Sequence, residues 1–287
     1  MSDEEFDLAA PELTPEEFLT LPDDRFTTEN VALVTGAASG IGRATAVVLA
    51  ANGLTVVGTD VDEDGLAETA AIAEECAVPG SFTHVVGDLT DEGDIERIVE
   101  SAAEEGRLRY LANIAGLQHI APIPEFPTEK YDLLQSVMLR APFLLAKHVV
   151  PHVRATDDGV GAIANMSSVH GHYATKDKAA YITMKHGLMG LTRSIAAEGE
   201  GSLRSFSVSA GYVLTPLMVN QIEDTAAERG ISEREVVEDV MLGQARTKTM
   251  MAPVDVANLF AFGFSSFGRH LNGADLLWDG GYVHTYD

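Results

Sequence analysis

The stretch VALVTGAASGIGRATAVVLAAN, residues 31–52, decides how this chain is read. Val31–Thr35 is an apolar, β-branched run that reads as a buried strand, and a helical period follows from Ile41 to Asn52. Between them Thr35-Gly36-Ala37-Ala38-Ser39-Gly40-Ile41-Gly42 makes a glycine-rich turn that opens the helix. Glycines there permit a tight turn and let a phosphate reach the backbone. The amides and dipole of the helix N-terminus then favour the negative charge. Many loops contain glycines, so the strand before and the helix after supply the weight. The turn predicts that Gly36, Ser39, Gly40, Ile41 and Gly42 hold the phosphates of a dinucleotide.

Outward from this unit the same alternation continues. Apolar runs at Thr55–Thr59, Phe82–Val86, Tyr110–Ile114, Gly161–Met166, Ser205–Ser209 and Asp275–Trp278 read as strands. Helical periods fill Glu63–Glu75, Glu92–Glu105, Thr128–Arg154, Ala179–Glu198 and Pro253–Phe264. Alternating β and α with apolar strands means an α/β fold, a doubly wound parallel sheet covered on both faces. Neither an internal repeat nor a low-complexity linker divides residues 29–287, which read as a single domain. The charged, helix-prone interval from Leu214 to Met251 reads as a small helical lid over the site. Residues 1–28 form an acidic, proline-bearing extension, open to two readings, a free tail or a strap on this domain or a neighbouring subunit. Thr14-Pro15-Glu16-Glu17 has the signals of a short helix start.

Composition narrows the partners. With 44 acidic against 19 basic residues the net charge is −25, which argues against nucleic acid or an anionic membrane. That charge lies far beyond the magnitude of roughly 2–8 that suits a small soluble domain. It resembles the composition of salt-adapted, halophilic proteins, with an ordinary acidic enzyme as the other reading. No apolar run reaches the roughly 18 residues of a membrane span. The N-terminus lacks the order of a signal peptide, and the single cysteine, Cys76, fits a reducing compartment. The expectation is a cytoplasmic protein with no metal site.

The strand ends carry further candidates. Asp60 closes the second strand, where a carboxylate can accept hydrogen bonds from a ribose diol and repel a 2′-phosphate. Neither Ala38 nor Ser39 offers a cation for that phosphate, so NAD is preferred over NADP. Asp88 and Leu89 follow the third strand, and Asn113-Ile114-Ala115-Gly116 follows the fourth. Ligands bind at such carboxyl ends in open α/β sheets.

Ser167–Gly187, SSVHGHYATKDKAAYITMKHG, carries the chemistry. Tyr181 and Lys185 stand four residues apart and share one helix face. A phenol has an unperturbed pKa of about 10, and a nearby ammonium favours the phenolate. Ser168 ends the preceding strand, where its hydroxyl can hold a substrate oxygen while a proton moves.

Taken together, TGAASGIG (35–42), Asp60, Asp88, NIAG (113–116), Ser168, Tyr181 and Lys185 resemble the short-chain dehydrogenase/reductase family in kind and order. The resemblance runs from Val31 to the C-terminus. It implies a Rossmann-type sheet of about seven strands, a nicotinamide cofactor, hydride transfer between alcohol and ketone, and commonly a homotetramer. It further implies Asp88 at the adenine, Asn113 at the ribose side, and Thr215 against the carboxamide or phosphates. Ser168, Tyr181 and Lys185 take the catalytic roles, with Tyr181 and Lys185 also touching the cofactor.

The pocket segments GLQHIAP (116–122), SVHG (168–171), KAAY (178–181) and GYVLTPLMVNQI (211–222) are similar to those of the D-3-hydroxybutyrate dehydrogenases within that family. This likeness implies that Gln118, His170, Lys178 and Gln221 hold a substrate carboxylate, Gln221 from the lid. A cation and three hydrogen-bonding groups suit a small anionic 3-oxo acid. The expected activity is NAD-dependent interconversion of (R)-3-hydroxybutyrate, or a similar small hydroxy acid, and its 3-oxo acid. The alternatives are a sugar or polyol dehydrogenase, a 3-oxoacyl reductase, or an NAD-binding regulator that has lost turnover. Three positions depart from the family. Met138 stands where an Asn commonly helps hold a proton-relay water, Ala210 replaces a proline, and Tyr212 replaces a tryptophan.

Overall fold

The computed structural model describes residues 8 and 11–285. Seven strands form one all-parallel sheet: β1 Asn30–Thr35, β2 Thr55–Asp60, β3 Ser81–Val86, β4 Arg107–Asn113, β5 Gly161–Met166, β6 Leu203–Ala210 and β7 Ala274–Trp278. Their order is β3-β2-β1-β4-β5-β6-β7. The chain reverses direction across the sheet between β1 and β4, and the crevice at that reversal is where such sheets bind ligands. The glycine-rich turn and residues 114–116 both leave the sheet at this point.

The helices are α1 Gly40–Ala51, α2 Glu63–Glu75, α3 Glu92–Glu104, α4 Thr128–Gln135, α5 Ala141–Arg154, α6 Ala179–Glu198, α7 Pro216–Arg229, α8 Glu233–Glu235 and α9 Pro253–Phe264. Side chains of a strand alternate between faces, and β1 displays this while wholly buried. Ala32 and Val34 join a core with α1 and α9, whereas Val31 and Leu33 join a second core with α3 and α5. A strand apolar at both parities needs cover on both faces, which these helix layers supply.

The expected helix 128–154 is one continuous run with a π turn at Ser136–Arg140, between α4 and α5. It is long and apolar enough to match a membrane span by length and composition. Ala141, Leu144, Leu145, Val149 and Val153 of this run lie in the core against β4 and α3, which accounts for its apolarity.

Residues 11–29 form a strap on this chain's own domain. Phe18 and Phe26 are buried in the core shared with α1 and α9. Asn52 bridges Leu19 O and Leu21 N, and Asn258 bridges Glu17 O and Leu19 N. The short helix read from Thr14 is a single 3-10 turn, Pro15–Glu17, because the extended backbone at Phe18 ends it. Most of residues 1–10 lie outside the described residues. The interval expected to form a lid, 214–251, holds α7, α8 and a π turn at Val236–Met241, with a small core of its own around Ile222, Val236, Val237 and Met241.

Candidate active site

A cavity of about 550 Å³ opens along the carboxyl ends of the strands. Its walls include Gly36, Ser39, Gly40, Ile41, Gly42, Asp60, Asp88, Leu89, Ala115, Gly116, Tyr181, Lys185 and Thr215. Gly36 has φ +71, in the left-handed region, and a Cβ there would lie 2.9 Å from Ala115 Cα. At Gly42 a Cβ would meet the Gly36 carbonyl at 1.9 Å, so only glycine lets the helix start this close to the turn. Thr35 Oγ1 accepts from Ile114 N and Ala115 N at 2.9 and 3.1 Å, which locks the two loops together.

Asp60 sits at the cavity rim, accepting from Val61 N at 2.8 Å and Ala38 N at 3.3 Å. The nearby cation, Arg43, is engaged from below by Thr69 Oγ1 and the Glu68 carboxylate and by the Ala38 and Gly65 carbonyls. Its charge is therefore spent under the turn. Glycine cradle, amides and rim carboxylate together fit a nicotinamide dinucleotide.

The expected catalytic side chains come from two places, the segment after β5 and helix α6. The parallel register of β5 brings Met166 to the cavity, and Ser168 then caps the short 3-10 turn Val169–Gly171, accepting from His170 N at 3.2 Å. Helix α6 presents Tyr181 and Lys185 on its inner face. Lys185 Nζ lies 5.3 Å from the Tyr181 ring centroid and donates to Met166 O at 2.7 Å. Burial lowers the Lys185 pKa to about 8. Burial also pushes the Tyr181 phenol up, with hydrogen bonding to Ser168 as the opposing influence. The ammonium was expected to draw the phenol down, but Lys185 spends a donor on the backbone and desolvation dominates the phenol.

Among the residues expected to hold a substrate, Gln118 Nε2 donates to Gln221 Oε1 at 3.1 Å, which ties the segment after β4 to α7. Lys178, which precedes α6, is half-buried, and among the described residues its ammonium has neither hydrogen-bond partner nor counter-ion. Burial alone lowers its pKa to about 8. His170 is buried and its ring lies edge-on to Tyr181, 5.8 Å between centroids. Burial first, then the Lys178 charge, lower its pKa to about 4. Tyr173 stacks on His170 and continues through Tyr282 to Tyr212, a run of phenols beside the lid.

Six expected site residues are not on the cavity wall: Gln118, His170, Lys178 and Gln221, described above, and Asn113 and Ser168. The Asn113 side chain is turned into the sheet, donating to Asn165 Oδ1 at 2.9 Å, and among the described residues its own buried Oδ1 has no partner. Asn165 passes the link to Thr192, so the pair ties β4, β5 and α6 together behind the cavity. Ser168 is only 7% exposed and stands behind Ser167 and Met166, which line the wall. Sequence reasoning missed Leu133, Val137, Pro216 and Leu217, apolar cavity residues from α4, the π turn and α7. Their apolarity within helical periods looked like core, and only tertiary placement separates the two.

The family described as Enoyl-(Acyl carrier protein) reductase matches residues 36–283. An uncharacterized oxidoreductase, YxjF of Bacillus subtilis, is 36% identical over 260 residues, covering 89% of this chain and 98% of that protein. The D-beta-hydroxybutyrate dehydrogenase of Rhizobium meliloti is 34% identical over 256 residues, covering 88% and 98%. Among solved structures, levodione reductase superposes with a TM-score of 0.84 at 31% identity, covering 91% of this chain and 100% of that one. The levodione reductase of Leifsonia aquatica is also similar in sequence, at 32%. With the cavity, the Ser168, Tyr181 and Lys185 set and these matches in agreement, the chain belongs to the short-chain dehydrogenase/reductase family.

Proposed function

We propose that this oxidoreductase interconverts a small hydroxy acid, (R)-3-hydroxybutyrate or a near relative, and its 3-oxo acid, using NAD. The observation that carries the substrate class is Lys178. A half-buried ammonium without a counter-ion is costly, and a substrate carboxylate seated on it recovers that cost. Gln118 and Gln221 stand as neutral donors around the same end, and lid closure over Gln221 completes the grip. Asp60 favours NAD, since its carboxylate accepts from a ribose diol and repels a 2′-phosphate.

The chemistry follows from the charges. The nicotinamide, when bound, accepts or gives the hydride. Ser168 holds the reacting oxygen, and Tyr181 as phenolate takes the hydroxyl proton. Lys185 keeps a positive charge 5.3 Å from the phenol ring and reaches the cofactor ribose. Leu133, Val137 and Leu217 exclude water from the cavity.

A polyol dehydrogenase is the second reading, because among the described residues the buried Tyr173 hydroxyl has no hydrogen-bond partner, which suits a hydroxyl-bearing substrate. Tetramer assembly is proposed through α5, where Phe143 is 56% exposed. The acidic surface suits a halophile, and the free Cys76 a reducing cytoplasm.

One screen separates these readings: NADH formation against 3-hydroxy acids, sugars and polyols, at low and molar KCl. Turnover of the acids, strengthened by salt, is expected. Turnover of polyols alone favours the second reading, and no turnover of any alcohol overturns the enzyme reading.

A further inference from the structure

The segment that follows β5 is held at both ends. At its start Ser167 N donates to Val208 O of β6 at 2.8 Å, and Ser167 Oγ donates to Lys185 O of α6 at 3.3 Å. The chain then winds through the 3-10 turn, where Ser168 O accepts from Gly171 N at 2.8 Å and Val169 O accepts from His172 N at 2.9 Å. A Cβ on Gly171 would lie 2.6 Å from Ser167 Oγ, so the turn folds closely back on its own start. These bonds set the shape of the turn. Its far end is placed by a side chain.

That side chain is His172, whose Nε2 lies 2.9 Å from Asp275 Oδ2 on β7. An ionised carboxylate only accepts, so Nε2 carries the hydrogen. The other oxygen, Oδ1, accepts from Ser207 Oγ at 2.5 Å and from Ser209 Oγ at 2.9 Å. Side chains alternate along a strand, so both serines of β6 share one face, while Phe206 and Val208 enter the core with α9. The Asp275 side chain is 12% exposed, where a carboxylate is costly unless donors surround it. Three donors do so, and only the imidazole comes from outside the sheet.

From this geometry we infer that Asp275 and His172 are positioning residues for the oxidoreductase reaction. The serines orient the carboxylate, the carboxylate orients the imidazole, and the imidazole fixes the turn that carries Ser168 and His170. Neither Asp275 nor His172 lines the cavity, so both act through that turn. The proposal rests on the dehydrogenase reading, in which Ser168 works beside Tyr181. A purely structural tie is not what the sheet needs there. The ladder from Phe206 to Ala210 already joins β6 to β7, and Asp is disfavoured within strands. A displacement of about 1 Å in a reacting group costs up to about a hundredfold in rate, which is the scale on which such an anchor acts.

The test uses the full-length enzyme with NAD and the alcohol turned over fastest in the screen above. Turnover is counted per NADH-binding site, so that misfolded protein does not enter the rate. Asp275→Ala and His172→Leu should each lower kcat about ten- to a hundredfold, with NADH affinity within about twofold. His172→Gln, whose amide can donate in place of Nε2, should return kcat to within about threefold of the unaltered enzyme. His172→Leu leaves Asp275 its two serine donors, so it keeps the test open should Asp275→Ala fail to fold. Amide hydrogen exchange gives a second readout that needs no substrate. In His172→Leu, peptides spanning residues 167–173 should exchange faster while those spanning 36–42 stay as they were.

Unchanged kcat in Asp275→Ala and His172→Leu would overturn the proposal. A parallel loss of NADH affinity with faster exchange at 36–42 would reduce the pair to general support of the fold, and overturn it as well. Failure of His172→Gln to recover kcat would remove the hydrogen bond as its means. Absence of alcohol turnover in the unaltered enzyme would instead overturn the dehydrogenase reading. The exchange measurement would still decide the anchor, with retained protection at 167–173 in His172→Leu counting against it.

Discussion

At the phosphate end of the cavity the backbone defines the shape: Gly36 turns where other residues are strained, and Gly42 touches a carbonyl that any Cβ would strike. The end proposed for the substrate would be built by side chains from four places: Gln118 after β4, His170 after β5, Lys178 before α6 and Gln221 on α7. The first end is rigid and tolerates few residues. The second end is adjustable, and it carries the unpaired groups, Lys178 and the Tyr173 hydroxyl. Each substitution below acts at one end, or where the two meet, so each can break or sharpen this division.

The largest effect belongs to the meeting point. Tyr181→Phe should cut turnover by about 10²–10⁴ while cofactor binding, read by NADH fluorescence, stays within about twofold. Near-normal turnover in this variant would remove the phenol from the mechanism. Burial raises the phenol's pKa, so the base form grows as pH rises. Alcohol oxidation by the unaltered enzyme should therefore accelerate with pH, and a rate falling across pH 7–9 would contradict the assignment.

Next comes the rigid end. Gly42→Ala places a Cβ 1.9 Å from the Gly36 carbonyl, so the turn or the start of α1 must move. Overpacking of this kind costs about 1–3 kcal/mol or more, and cofactor affinity should fall up to about a hundredfold. Titration of NADH fluorescence measures it. A retained affinity would mean that the backbone there is softer than the comparison holds.

The adjustable end should respond differently. Lys178→Met should raise KM for a hydroxy acid about ten- to a hundredfold, the worth of a charge-assisted hydrogen bond, and leave a neutral alcohol untouched. The Lys178 pKa is lowered to about 8, so its charge is present below that pH and lost above it. The ratio of KM values, acid over neutral alcohol, should then rise as pH passes upward through about 8. Taking the ratio removes the contribution of Lys185, whose pKa is also lowered to about 8. A flat ratio would detach Lys178 from the substrate.

The same division explains how much could be read from the chain. All seven strands and the glycine-rich turn into α1 were legible, because glycine spacing and strand periodicity are local and backbone-imposed. Tyr181 and Lys185 were legible because four residues on a helix fix their shared face. The direction of the Tyr181 shift was not, since it depends on how deeply α6 seats the ring and on which acceptor Lys185 chooses. Nor was the Asn113 side chain, whose partner Asn165 comes from the neighbouring strand through the β4–β5 register. The π turn around Met138 was hidden as well, because its residues continue the helical period on either side.

Asp60 gives the smallest effect and the finest test, because it joins a backbone-held position to a side-chain preference. Its carboxylate is held by Val61 N and Ala38 N rather than swinging free, which on the proposed reading would preorganise it for a ribose diol. Asp60→Ala removes both the acceptor and the repulsion of a 2′-phosphate, while Arg43 stays committed beneath the turn. The ratio of kcat/KM for NAD over NADP should therefore fall about tenfold, mostly through weaker NAD binding, without a switch to strong NADP use. If Asp60→Ala instead uses NADP well, Arg43 must leave its acceptors to meet the phosphate. The floor of the turn would then belong to the adjustable part of the site.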